Sequence, residues 1–92
     1  MIRSFGDRRT QRLFEDQVVR DFQGFARRAK RKLEALHAAS RLEDLSVPRS
    51  HRLEKLGGKL RGLHSIRIND QWRLVFRSET DHAEDVRIVD YH

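Results

Sequence analysis

Ninety-two residues carry 20 Lys and Arg against 14 Asp and Glu, a net charge of +6, with a pI of 10.7 and a mean hydropathy of −0.81. A chain this short makes one domain, residues 1–92, burying only about 60–65 % of its unfolded surface, and its periodic apolar residues exclude a disordered polymer. The absence of cysteine excludes disulfides and thiolate metal sites, and no run approaches the roughly 20 apolar residues of a membrane span or forms a signal-like N-terminus, so cytoplasm is the expected location.

In chain order, Met1 to Phe5 alternates weakly and reads as a short first strand. Gly6 and Asp7 punctuate, with Asp7 as N-cap of a helix through about Gln17 whose apolar stripe is Thr10, Leu13, Phe14 and Val18. Gly24 is either tolerated or marks a break before the next helix. That second helix is the clearest element, because Phe22, Phe25, Ala26, Ala29, Leu33, Leu36 and Ser40 follow the i, i+3, i+4, i+7 spacing. Its other face is Arg27, Arg28, Lys30, Arg31 and Lys32, which is either a solvated helix face or a surface that tracks phosphates. Leu42, Leu45 and Val47 pack a loop that Pro48 ends. His51 to Leu56 reads as a strand turning at Gly57 and Gly58.

Gly62 introduces a hairpin from Leu63 to Phe76, two runs with β-branched and aromatic residues around Asn69-Asp70-Gln71. A two-residue loop would pair Arg67 with Trp72 and put a guanidinium among apolar side chains. A three-residue loop pairs Ile68 with Trp72, Ile66 with Leu74 and Arg67 with Arg73, and this register is the one expected. It sets two like charges opposite each other, which destabilises a sheet. The pair is either two solvated arginines splayed apart or a bidentate grip on a polyanion.

Ser78 to Glu84 reads as a polar, acidic loop, and Asp85 to His92 as a central strand with Val86, Ile88 and Val89. Strand, two helices, then strands gives an α+β domain, a mostly antiparallel sheet with both helices on one face. Basic character falls on the long helix and the hairpin region: residues 1–41 hold 11 Lys and Arg against 5 Asp and Glu, and residues 49–77 hold 8 against 2. That is the footprint of a nucleic-acid or acidic-protein partner.

The chain closes on Asp90-Tyr91-His92, a carboxylate, a phenol and an imidazole at the end of a strand. Histidine transfers protons near neutrality. The alternative is a packing Tyr and a solvated His. His37, His82 and His51 are weaker candidates, and His64 falls on the side of Ile66 and Ile68 as a partly buried packing residue. No His-x-x-x-His or Glu-x-x-His pattern is present, so neither metal nor other cofactor is expected.

The hairpin Ser65 to Phe76, the terminal Ile88-Val89-Asp90-Tyr91-His92 and the opening Met1-Ile2-Arg3-Ser4-Phe5 together resemble the HigB-type toxins of the RelE/ParE superfamily, over essentially the whole chain. The resemblance implies a RelE-like fold and a bacterial toxin that enters the ribosomal A site and cuts mRNA without a metal. It also implies a HigA-type helix-turn-helix antitoxin that holds the toxin inactive, with operator DNA bound only through the toxin–antitoxin complex. The family's active site falls on Arg67, Arg73, Asp90, Tyr91 and His92. Arg67 and Arg73 would face the phosphate, Asp90 and His92 would move protons, and Tyr91 would stack on or orient a base. Family members carry a His and a Lys where this chain has Glu54 and Gly57. Glu54 would stand as the base and Lys55 or Lys59 would supply the cation; neither is equivalent to the family residue, so weak cleavage is the expectation. Arg61 and the helix cations Arg27, Arg28, Lys30, Arg31 and Lys32 complete the expected RNA- or ribosome-facing set. A non-catalytic ribosome- or rRNA-binding inhibitor and a ParE-like gyrase inhibitor stay open as alternatives.

Overall fold

The hairpin register that pairs Arg67 with Arg73 and Ile66 with Leu74 is the one the chain adopts. The computed structural model describes residues 1–90. Strands β1 (Glu54–Lys55), β2 (Leu63–Arg67), β3 (Trp72–Ser78) and β4 (Ala83–Asp90) form one antiparallel sheet in that order. At the hairpin tip Asn69 Oδ1 accepts from the backbone N–H groups of Gln71 and Trp72, both at 2.8 Å, while Ile68 N donates to Trp72 O at 3.0 Å. An asparagine side chain thus closes the turn that its position implies.

The Met1–Phe5 segment does pair, but in parallel along the outer edge of β4, through bridges from Ile2 to Ala83 and from Phe5 to Val86. This leaves β4 flanked on both sides, as a central strand should be. β4 begins at Ala83, inside the stretch expected to be loop. The reason is a bulge. Ala83 and Val86 are both in the core although an odd spacing puts residues on opposite faces, and a register shift opposite Val75 to Arg77 restores the phase. Asp85 takes the positive φ, 54°, that the extra residue requires.

Helix α1 (Arg8–Phe14) starts as its cap implies, with Thr10 N donating to Asp7 Oδ1 at 2.8 Å. It stops three residues short of the expected Gln17, where Asp16 goes left-handed at φ 65°. Thr10 is fully buried and its hydroxyl accepts from Ile88 N at 2.9 Å, which ties α1 to β4.

Helix α2 (Ala26–Ala38) starts later than the apolar spacing indicates. Phe22 sits in a separate 3₁₀ turn, Arg20–Phe22, so Gly24 lies in a break. Phe22 and Phe25 nonetheless keep the side of the helix that carries Ala29, Leu33 and Leu36 into the core. Both helices cover the sheet face made by Ile66, Ile68, Leu74, Phe76, Val86 and Ile88. Of the strand expected over His51–Leu56 only Glu54 and Lys55 pair, because Arg49–His51 is a 3₁₀ turn and Arg52 is left-handed at φ 45°. Among the described residues no helix is long and apolar enough to cross a membrane.

Candidate nuclease site and RNA-facing surface

The two hairpin arginines lie opposite each other but in different surroundings. Arg73 is only 8 % exposed. Its Nη2 donates to Arg52 O at 2.7 Å, and its Nη1 stands 3.7 Å from Glu54 Oε1. Arg67 is half-buried and paired with Asp70 of the hairpin loop, whose carboxylate is fully open to solvent. The fold therefore brings Glu54 to Arg73: β1 pairs Glu54 with Ser65, and Ser65 pairs with Val75, two residues from Arg73. A carboxylate on a two-residue edge strand and a buried guanidinium form one cradle, open on the Glu54 side.

Asp90 is the register partner of Trp72 and accepts from Gln71 Nε2 at 3.0 Å, so it ends β4 beside the hairpin tip. Tyr91 and His92 lie outside the described residues. Lys55 pairs with His64 across β1 and β2 and is exposed. Lys59 and Arg61 are exposed on and just after the Gly58–Leu60 turn. Arg77 and Arg87, absent from the expected set, line a groove on the open sheet face together with Leu60, Leu63, Val89 and Asp90. Their alternation with Arg73 and Val75 across the β3–β4 ladder was the available signal.

The helix cations separate by flank, since each residue advances about 100° around the axis. Arg28, Arg31 and Lys32 line an open pocket with Ser50, Arg67 and Ile68. Burial lowers the Lys32 pKa from its ordinary value, and the nearby charges of Arg28, Arg31 and Arg67 lower it further. Arg27 and Lys30 lie along the other flank, beside Val18 and Gln17. There Lys30 is a structural strut. Its Nζ donates to Phe14 O, sits 3.0 Å from Asp16 Oδ1 and lies 4.7 Å from the centre of the Phe14 ring.

Two histidines turn out to be packing groups. His51 is buried, with Nδ1 at 3.1 Å from Leu45 O, and His64 stacks on Phe76 with ring centres 6.2 Å apart. Burial lowers both pKa values from 6.5, with Lys32 contributing at His51 and Lys55 at His64. For both, the unfolded chain takes up a proton before the folded one. Stability is therefore full above the unfolded value and falls as pH drops below it. Urea midpoints should rise from about pH 5 to about pH 7.5, and His51→Asn should flatten that slope. An unchanged slope in the variant would assign the pH dependence elsewhere.

The family model of RelE-like toxins of the type II toxin–antitoxin system HigB matches residues 3–92. Toxin HigB-1 of Vibrio cholerae is 51 % identical over 47 residues, which cover 51 % of this chain and 50 % of that protein. An uncharacterized protein of Haemophilus influenzae is 34 % identical over 56 residues, covering 61 % of this chain and 55 % of its own length. The chain thus spans about half the length of the curated relatives it matches. Among solved structures, the YoeB–YefM complex from Staphylococcus aureus superposes with a TM-score of 0.62 at 21 % identity, covering 100 % of this chain and 98 % of that one. The YoeB dimer from the same organism gives 0.56 at 21 %, covering 99 % and 97 %. These two likenesses bear on the fold alone, the RelE-like arrangement expected from the sequence. Matched along nearly its whole length, the chain belongs to the HigB family of RelE-like toxins of type II toxin–antitoxin systems.

Proposed function

We propose that this chain is a ribosome-dependent mRNA endonuclease that inhibits translation and is neutralised by a HigA-type helix-turn-helix antitoxin. Operator DNA is met only through the antitoxin complex. The observation that carries the reading is the arginine pair itself. Burying one guanidinium and placing a second directly across the strand pair works against stability, and the arrangement gains a purpose when a phosphate lies over it.

Cleavage then proceeds by attack of the 2′-oxygen on the adjacent phosphorus. The P–O5′ bond breaks, the 2′-proton goes to a base, and the departing 5′-oxygen receives a proton from an acid, leaving a 2′,3′-cyclic phosphate and a 5′-hydroxyl. Arg67 and Arg73 stabilise the extra negative charge on the phosphorane. Glu54 is the base within reach of the same phosphate as Arg73. Asp90 and His92 serve the leaving group, and Tyr91 stacks on a base. Lys55, Lys59 and Arg61 stand on the rim that RNA would cross.

The test is incubation of a defined mRNA with the purified chain, with and without 70S ribosomes carrying an empty A site. Cuts on the ribosome alone, with cyclic-phosphate ends that disappear in His92→Ala, are the expected result. Tight ribosome binding without cuts would instead make the chain a binding inhibitor. Glu54 beside Arg73, at a position where the family resemblance implies a histidine, is the observation that favours this second reading.

A further inference from the structure

We infer that the pocket between α2 and the end of β2, lined by Arg28, Arg31, Lys32, Ser50, Arg67 and Ile68, is a binding site for an RNA backbone phosphodiester next to the cleaved one. The inference rests on the reading of RNA as substrate and adds a subsite that includes Ser50 and leaves out Arg27 and Lys30. Three observations support it.

First, the charges there are left without neutralising carboxylates. Among the described residues none of Arg28, Arg31 and Lys32 makes an ion pair, and Arg67 has only Asp70, on the exposed hairpin loop. On the opposite flank of the same helix Lys30 has Asp16 and the Phe14 carbonyl. The fold supplies a counter-charge to Lys30 on one flank and, among the described residues, to none of Arg28, Arg31 and Lys32 on the other.

Second, three positive charges converge on Lys32. Burial depresses its pKa and Arg28, Arg31 and Arg67 depress it further, so their fields overlap at that amine, beside the open pocket that the same four side chains line. Such mutual repulsion is relieved when an anion enters.

Third, the lining selects the kind of anion. Three guanidiniums offer planar forks that match phosphate oxygens, and the Ser50 hydroxyl is a further donor. Ile68 alone is apolar, so an acidic protein segment would find little to bury. Arg67 lines this pocket and also faces Arg73 across the hairpin, which places the subsite beside the cradle, across the β2–β3 pair.

The experiment is fluorescence anisotropy of the full chain with a short labelled 2′-O-methyl oligouridylate across a salt series. Lacking the 2′-hydroxyl, the probe reports binding regardless of cleavage. For single strands the slope of log K against log salt is about −0.7 per phosphate contact. The double variant Arg28→Gln/Arg31→Gln should lose about 1.4 of that slope and roughly tenfold or more in affinity. Lys32→Gln should lose about half as much slope. Arg12→Gln, an exposed cation on α1, removes the same charge as Lys32→Gln and should leave the slope within error.

Equal effects of Arg12→Gln and Lys32→Gln would reduce the pocket to bulk charge and overturn the inference. So would an unchanged slope in the double variant, wild-type binding that ignores salt, equal binding of an uncharged methylphosphonate probe, or displacement by a polyglutamate peptide at lower concentration than by unlabelled RNA. Cleavage with no pocket dependence would defeat this inference alone. Pocket-dependent binding by a chain that never cuts would defeat the nuclease reading alone.

Discussion

Arg73→Ala should reduce single-turnover cleavage of ribosome-bound mRNA by about 10²–10³-fold, the loss typical when one donor to a developing oxyanion is removed. The side chain is nearly buried and held from two directions, by the Arg52 carbonyl and by Glu54. Such a guanidinium is oriented before substrate arrives, so little reorganisation is left for the reaction step. Arg73→Lys keeps the charge but loses the second fork, and should recover only part of the rate. Ribosome affinity should fall far less than the rate, because the pocket on α2 is left intact. Unchanged far-ultraviolet circular dichroism would show that the variants still fold. A rate within tenfold of wild type in Arg73→Ala would remove this residue from the phosphate.

The same neighbourhood shows what a sequence conveys about a site. Register followed from pattern, because one slip would have sent Arg67 to the side of Trp72, and so the Arg67–Arg73 pairing was legible. What the side chains do once paired was not. Arg73 is buried because a carbonyl arrives from Arg52, a residue 21 positions earlier in a left-handed conformation, and no local periodicity encodes that meeting. Likewise five helix cations read as one basic face. Only packing against α1 reveals that Lys30 is committed to Asp16 and Phe14 while Arg28, Arg31 and Lys32 turn to Ser50 and Arg67.

For the fold, strongly periodic elements were legible and their ends were not. Asp7 announced α1 through cap chemistry that acts within one turn. The start of β4 was hidden because the Asp85 bulge breaks the alternation by which a strand is recognised. The His51–Leu56 rhythm reflected true burial, of His51 and Leu56, delivered by a 3₁₀ turn and a two-residue strand in place of a regular one. The run from Phe22 to Leu36 was apolar on one side throughout, yet only its later part is α-helical. Burial pattern constrains which side chains face the core, and several backbones satisfy it.

That last element carries the largest stability prediction. Phe22 is fully buried in the 3₁₀ turn before α2, edge-on to Trp72 with ring centres 5.6 Å apart and 5.6 Å from Phe25, with the Arg9 guanidinium 5.0 Å above its face. Phe22→Ala removes apolar surface and leaves a cavity among groups anchored on three separate elements, so the gap collapses poorly. A cost of about 3–5 kcal/mol is expected, against a total of roughly 5–15 kcal/mol for a domain of ordinary stability. For a domain of this size that corresponds to a Tm lower by roughly 15 °C or more. Trp72 is the sole tryptophan, so its fluorescence reports the cluster directly during thermal unfolding. Phe25, half-buried and stacked on Trp72 at 5.1 Å, should cost less when truncated, because part of its surface already faces water. A drop under about 5 °C for Phe22→Ala would mean less than about 1 kcal/mol lost. The aromatic turn would then unfold apart from the sheet, and the cooperative core would begin only at α2.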